Sequence, residues 1–175
     1  GNEYIDMLAG YGPIIIGYRE EEIDNEVIKQ IRNKGTCMAL TQTTQNTLVK
    51  TLQDCIPSCE KAIIVKTGSD ASTLSIRIAR SFTNKEKILR CGYHGWHDWC
   101  VEEKEGIPKN SYKDVLEFNY NDLDNLEKLF KSYKNEVAAV IMQPIYTPLV
   151  KEVQFPKDDY LTEVKKMCEN YKSLL

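Results

Sequence analysis

No two cysteines of this sequence stand in a CxxC pair, and only two histidines occur in 175 residues. Structural zinc requires closely spaced thiolate or imidazole ligands. Cys37, Cys55, Cys59, Cys91, Cys100 and Cys168 therefore read as scattered free thiols of a cytoplasmic protein, although Cys55 and Cys59 flank Pro57 in an expected helix-to-strand connection. His94, His97 and Asp98 lie together, but no third ligand follows at a useful spacing, so no metal site is expected. There is no basic block, and the net charge is −3, which argues against a nucleic-acid surface. No apolar run approaches the ~20 residues of a membrane span. Gly1-Asn2-Glu3 is not followed by a basic and then an apolar stretch, so no secretory leader is expected. Neither GxGxxG nor GxxxxGK[ST] occurs, which leaves a nucleotide-binding α/β domain without support.

What is present is ordinary for a globular domain: 42 % hydrophobic and 28 % charged residues. Tyr4–Leu8 reads as a short strand broken by Gly10, Gly12 and Pro13. Ile23, Val27, Ile28 and Ile31 place one apolar stripe on a helix over 20–33, with Gly35 as its stop. A second stripe, Leu48, Val49 and Leu52, predicts a helix over 44–55. Strands are predicted over 61–66, 87–91, 115–118 and 137–142. The last is a continuous apolar run of the kind covered on both faces. Between them lie a helix N-capped by Ser69 and running to Ser81, and another capped by Asn121 or Asp122 with Leu123, Leu126, Leu129 and Phe130 on its apolar face. In the first, Leu74, Ile76, Ile78, Ala79 and Phe82 are expected on the buried side. Residues 99–113 read as a loop, 148–156 as a loop or hairpin, and 158–171 as a last helix.

Strands alternating with helices predict an α/β fold: a mostly parallel sheet with helices on both faces, and a small N-terminal strand/helix arm. The expected division is an arm with two helices over 1–60 and an α/β domain over 61–175.

The turn Thr67-Gly68-Ser69-Asp70-Ala71 carries the chemistry. A strand, a Gly-Ser turn and a helix leave free backbone N–H groups and the positive end of a helix dipole at one spot. Such a spot binds phosphate. About twenty-five residues on, one βα unit later, comes Gly92-Tyr93-His94-Gly95. A phosphate cradle with an aromatic ring on the next loop suits a flat, phosphorylated cofactor.

In order, these pieces resemble the class III aminotransferases, pyridoxal-phosphate enzymes of fold type I, and most of all the glutamate-1-semialdehyde aminomutase branch. Gly1-Asn2-Glu3-Tyr4-Ile5-Asp6 is similar to the family's DGN-x-Y-I-D opening, and Tyr11-Gly12-Pro13-Ile14-Ile15-Ile16-Gly17 to WGPLILGH. Thr67-Gly68-Ser69-Asp70-Ala71 resembles SGTEA, and Tyr93-His94-Gly95 is the YHG motif. Asn119-Tyr120-Asn121-Asp122 resembles PYND, and Ala138–Pro144 resembles AAVIVEP. The resemblance covers nearly the whole chain. It implies that the fold is part of the fold type I large domain and that pyridoxal 5′-phosphate is the cofactor. Thr67, Gly68 and Ser69 would hold the phosphate, Tyr93 would stack on the pyridine ring, and His94 would shape the loop behind it. Tyr11 would stand beside the substrate, a small amino/keto or amino-aldehyde compound, in a homodimer.

Two departures limit what the resemblance implies. Gln143 stands where the family usually has Glu, which keeps hydrogen-bonding capacity but removes a charge. The Asp that pairs with the pyridine nitrogen and the Schiff-base Lys of the family have no counterpart among these residues. Lys66 ends a strand on the wrong side of the turn. The expectation is the N-terminal portion of an enzyme, inactive alone and prone to self-association through uncovered apolar faces. The alternative is a degenerate, non-catalytic cofactor- or protein-binding module.

Overall fold

The computed structural model describes residues 1–37, 39–148 and 152–175. The chain forms two compact units, Gly1–Ile64 and Val65–Leu175, each described by itself.

The first unit holds helices α1 (Glu21–Lys34) and α2 (Thr43–Cys55). Gly35, at φ +77°, terminates α1. The strand predicted over 4–8 is not formed. Asp6 instead accepts hydrogen bonds from the backbone N–H of Leu8 and Ala9 and from the Tyr18 hydroxyl. A side-chain acceptor serving its neighbours' amides competes with a ladder, and the chain turns into a 3₁₀ helix over Ala9–Tyr11.

The second unit is a three-stranded parallel sheet of order β2–β1–β3, with β1 at Lys87–Cys91, β2 at Val115–Glu117 and β3 at Val137–Met142. Ile88 pairs with Val115 on one side and Ala139 on the other. Leu174 makes a parallel bridge to Ala139 on the outer side of β3. The predicted strand over 61–66 is absent: no ladder partner reaches it among the described residues, and Ile63 and Ile64 remain exposed. A β-prone run becomes a strand only where neighbours take up its N–H and C=O groups.

Helices cover both faces. Helix α3 (Gly68–Thr83) packs Ile76 and Ala79 against Ile88, Trp99, Ala138 and Ala139. On the opposite face, α4 (Leu123–Ser132) and α5 (Tyr160–Asn170) bury Leu126, Phe130, Val164 and Cys168 against Leu89 and Val140. Adjacent β1 residues therefore serve opposite cores, as strand geometry requires. Asp122 caps α4, accepting the Asn125 N–H at 2.9 Å. Helix α3 buries a narrower face than expected, since Ile78 and Phe82 are exposed and Leu74 is half-buried. Tyr146 and Gln154 pair across an antiparallel bridge that closes the loop or hairpin expected over 148–156, of which residues 149–151 lie outside the described residues. No helix of the described residues is long and apolar enough to cross a membrane.

Candidate cofactor site

The loops that follow β1, β2 and β3 all leave the sheet at its carboxyl edge, where open α/β sheets bind ligands. The loop after β1, residues 92–96, meets the start of α3. The helix begins two residues earlier than the sequence suggests, because Thr67 rather than Ser69 is its N-cap. Thr67 Oγ1 accepts the Asp70 N–H at 3.1 Å, and Asp70 Oδ2 accepts the Thr67 N–H at 3.0 Å. This reciprocal box satisfies two groups of the first turn. Among the described residues, the N–H groups of Gly68 and Ser69 find no acceptor.

Gly68 stands in open space: a Cβ built on it meets no atom within 4 Å. Two orphan amides, a helix dipole and free room above a glycine fit a phosphate group. Ser69 is displaced from the capping role and does something else. Its side chain is buried, and its Oγ accepts the Trp96 N–H at 3.2 Å. That bond ties the cradle to the aromatic loop. Gly95 passes so close that a Cβ there would lie 2.4 Å from Ser69 Oγ, and its φ of +108° belongs to glycine.

Within this loop Tyr93 and His94 point to different surroundings. Tyr93 is 57 % exposed, so its ring is free to meet a partner. His94 is buried, with Nε2 at 3.1 Å from the Cys91 carbonyl and its ring stacked near Trp99. Burial lowers the His94 pKa, opposed in part by the hydrogen bond to Cys91. The neutral imidazole therefore braces the loop from beneath. The Cys100 thiol adds to this bracing, approaching the carbonyls of His94, Gly95 and His97 at 3.4–3.5 Å.

Tyr93 also borders a cavity of about 460 Å³ that extends past Phe118, Tyr120 and Tyr146. Its lining does not include Gly68 or Ser69, so the cradle is a separate feature on the helix side of the loop. Gln143, at the end of β3, is held by Thr147: its Nε2 donates to Thr147 Oγ1 at 3.1 Å, and its Oε1 accepts the Thr147 N–H at 3.3 Å. It lies directly beneath Gly92, where a Cβ would come within 2.6 Å of its Oε1. Tyr11 belongs to the first unit and is exposed. The described residues contain no group of three or more His, Cys, Asp or Glu that could hold a metal ion.

Thr73 and Trp99 escaped the sequence reading, and His97 entered it only as a metal candidate without a third ligand. Thr73 Oγ1 lies 2.7 Å from His97 Nδ1 and accepts the Trp99 indole N–H at 2.8 Å. The available signal was the i, i+3 spacing of Asp70 and Thr73, which puts both on one face of α3.

The family model of the class-III aminotransferases matches residues 1–175. The chain belongs to the class-III aminotransferases. Pyridoxal 5′-phosphate is the cofactor of this family. The chain is 58 % identical to the 3-aminobutyryl-CoA aminotransferase of Cloacimonas acidaminovorans over its whole length, covering 42 % of that protein. It is 30 % identical to a glutamate-1-semialdehyde 2,1-aminomutase of Francisella philomiragia, with 99 % of this chain and 43 % of that one aligned. The FumI protein of Sphingopyxis sp. MTA144, in its PLP internal aldimine form, superimposes on 98 % of the chain with a TM-score of 0.92 at 27 % identity, over 42 % of its own length. The chain thus spans less than half the length of the relatives it matches. The mostly parallel α/β fold expected from the sequence is the fold of these transaminases.

Proposed function

We propose that this chain is the N-terminal portion of a pyridoxal-phosphate-dependent aminotransferase or aminomutase, and that it holds the phosphate and one face of the ring. Gly68 and Ser69 offer their amides to the phosphate, with Thr67 fixing the turn. Tyr93 covers the flat face of the pyridine, where an offset aromatic contact is favourable. His94 keeps Tyr93 in place. The observation that carries this reading is the Ser69–Trp96 hydrogen bond, which joins the phosphate-binding turn to the Tyr93 loop at 3.2 Å.

When bound, pyridoxal phosphate supplies an electron sink for chemistry at an amine-bearing carbon. The chain's own part is to bind and orient. Among the described residues no lysine lines the cavity beside Tyr93, and on this reading residues 1–175 alone do not transfer amino groups. The identity to a 3-aminobutyryl-CoA aminotransferase, well above that to the aminomutases, favours amino transfer over amino migration and an amine carried on a small acyl group. The family resemblance gives Tyr11 a substrate role, and the working protein is a cytoplasmic homodimer.

The test uses the full-length protein. Gly68→Leu fits sterically, since nothing crowds that position, but fills the phosphate's room. It should retain the apoprotein's melting temperature and lose the visible absorbance of bound cofactor. Undiminished cofactor retention in Gly68→Leu would refute the cradle.

A further inference from the structure

The phosphate-binding turn holds a negative charge, Asp70, three residues beyond Thr67. An unscreened carboxylate beside a phosphate site repels the ligand, so something must direct that charge elsewhere. One of its oxygens is taken by the Thr67 N–H. The other, Oδ1, faces His97 Nε2 at 3.9 Å, too long for a direct hydrogen bond and close enough for a charge–dipole contact.

The state of His97 follows from its neighbours. An indole N–H only donates, so Thr73 Oγ1 must accept from Trp99. The Thr73 hydroxyl hydrogen is then free, and the acceptor in reach is His97 Nδ1 at 2.7 Å. With Nδ1 accepting, the ring N–H lies on Nε2, the nitrogen that faces Asp70. A chain results: Trp99 N–H to Thr73, Thr73 O–H to His97, His97 N–H towards Asp70, and Asp70 accepting from the cap of α3. Trp99 is buried and Thr73 half-buried, so the chain is anchored in the core rather than in solvent.

We infer that His97 is a positioning residue for the cofactor phosphate: through its Nε2–H it draws the Asp70 carboxylate towards itself and away from the anion held by Gly68 and Ser69. This rests on the reading of that turn as a phosphate cradle. His97 touches neither phosphate nor ring; it acts only through Asp70.

The test compares affinities of the full-length apoprotein for pyridoxal 5′-phosphate and for pyridoxal, which lacks the phosphate. His97→Phe should weaken binding of the phosphate ester by about three- to tenfold, the scale of a charge at a helix N-terminus, and leave pyridoxal binding unchanged. Adding Asp70→Asn to His97→Phe should restore most of the loss, because the repelling charge is gone. His97→Gln, whose amide can still donate to Asp70, should stay near wild type. If His97→Phe does not fold, Thr73→Val, which removes the hydroxyl orienting His97, should give a smaller loss in the same direction.

A loss shared equally by pyridoxal, or one that Asp70→Asn fails to restore, would overturn the inference and show a merely structural histidine. So would unchanged affinity in the soluble His97 and Thr73 variants. If Gly68→Leu abolishes the advantage of the phosphate ester while those variants do not alter it, the cradle stands and the inference alone fails. A full-length protein that never prefers the phosphate ester overturns both.

Discussion

Gly95 lies against Ser69 so tightly that a single added methyl would fall 2.4 Å from Ser69 Oγ and 3.0 Å from its Cα. The second contact is to backbone, which cannot swing away. The site is thus two backbones in van der Waals contact, locked by the Trp96 N–H to Ser69 Oγ bond. Gly95→Ala must push the loop off the helix and also hold alanine at φ +108°. A destabilisation of about 2 kcal/mol or more is expected, together with loss of cofactor affinity. Thermal melts with and without pyridoxal phosphate measure the two effects separately. Near-native stability with full cofactor retention would mean that the contact is dispensable.

Tyr93 offers a different signature, because its proposed partner is the ring and not the phosphate. Tyr93→Ala should weaken pyridoxal phosphate and pyridoxal alike, by about tenfold, the upper range of an aromatic contact. Tyr93→Phe should keep most of the affinity. The two ligands titrated against both variants settle the point, and a Tyr93→Ala protein with unaltered occupancy would remove the stacking role.

The thiols divide by burial. Burial raises the Cys91 pKa to about 11 and the Cys168 pKa to about 12, and it raises that of Cys100. Only thiolates react readily, so all three should resist a disulfide-exchange reagent in the folded full-length protein. They should react together on unfolding in guanidinium. Rapid modification of Cys91 or Cys168 under native conditions, followed by peptide mapping, would contradict the packing described here.

The elements legible in the sequence were those whose cause is local. The run Val137–Met142 announced a strand because both of its faces are covered. The α4 helix announced itself through Asp122 and the Leu123, Leu126, Leu129 and Phe130 stripe. The run over 61–66 was misread because strand formation depends on a partner that no short window displays. Phe82 was assigned to the core on helical spacing, yet spacing names a face and not what that face meets. At the site, Gly68 and the Tyr93-His94-Gly95 loop were visible as turn chemistry. The Thr67–Asp70 box was also readable as a capping pattern, but Ser69 appeared the better cap. The Thr73–His97–Asp70 chain joins residues 24 and more positions apart and emerges only when α3 and the loop after β1 are brought together.

His94 should give the fold an acid limit of its own. Its ring is buried and its folded pKa lies below the unfolded value, which is about 6.5. Between those two values the unfolded chain binds more protons than the folded one, so stability rises with pH across that window. The contribution is complete above about pH 6.5 and declines as pH falls towards the folded value, below which it no longer changes. The Cys91 carbonyl favours the imidazolium, but burial outweighs it, with Arg90, also buried, acting in the same direction as burial. His94→Gln keeps a polar group near the Cys91 carbonyl but cannot titrate. It should be less stable than wild type at pH 7.5 and should close part of that gap at pH 5.5. Urea unfolding of the two full-length apoproteins at both pH values reads the difference directly, since His97 and every carboxylate are common to both. Parallel stability–pH curves would show that the His94 ring takes up its proton as readily folded as unfolded.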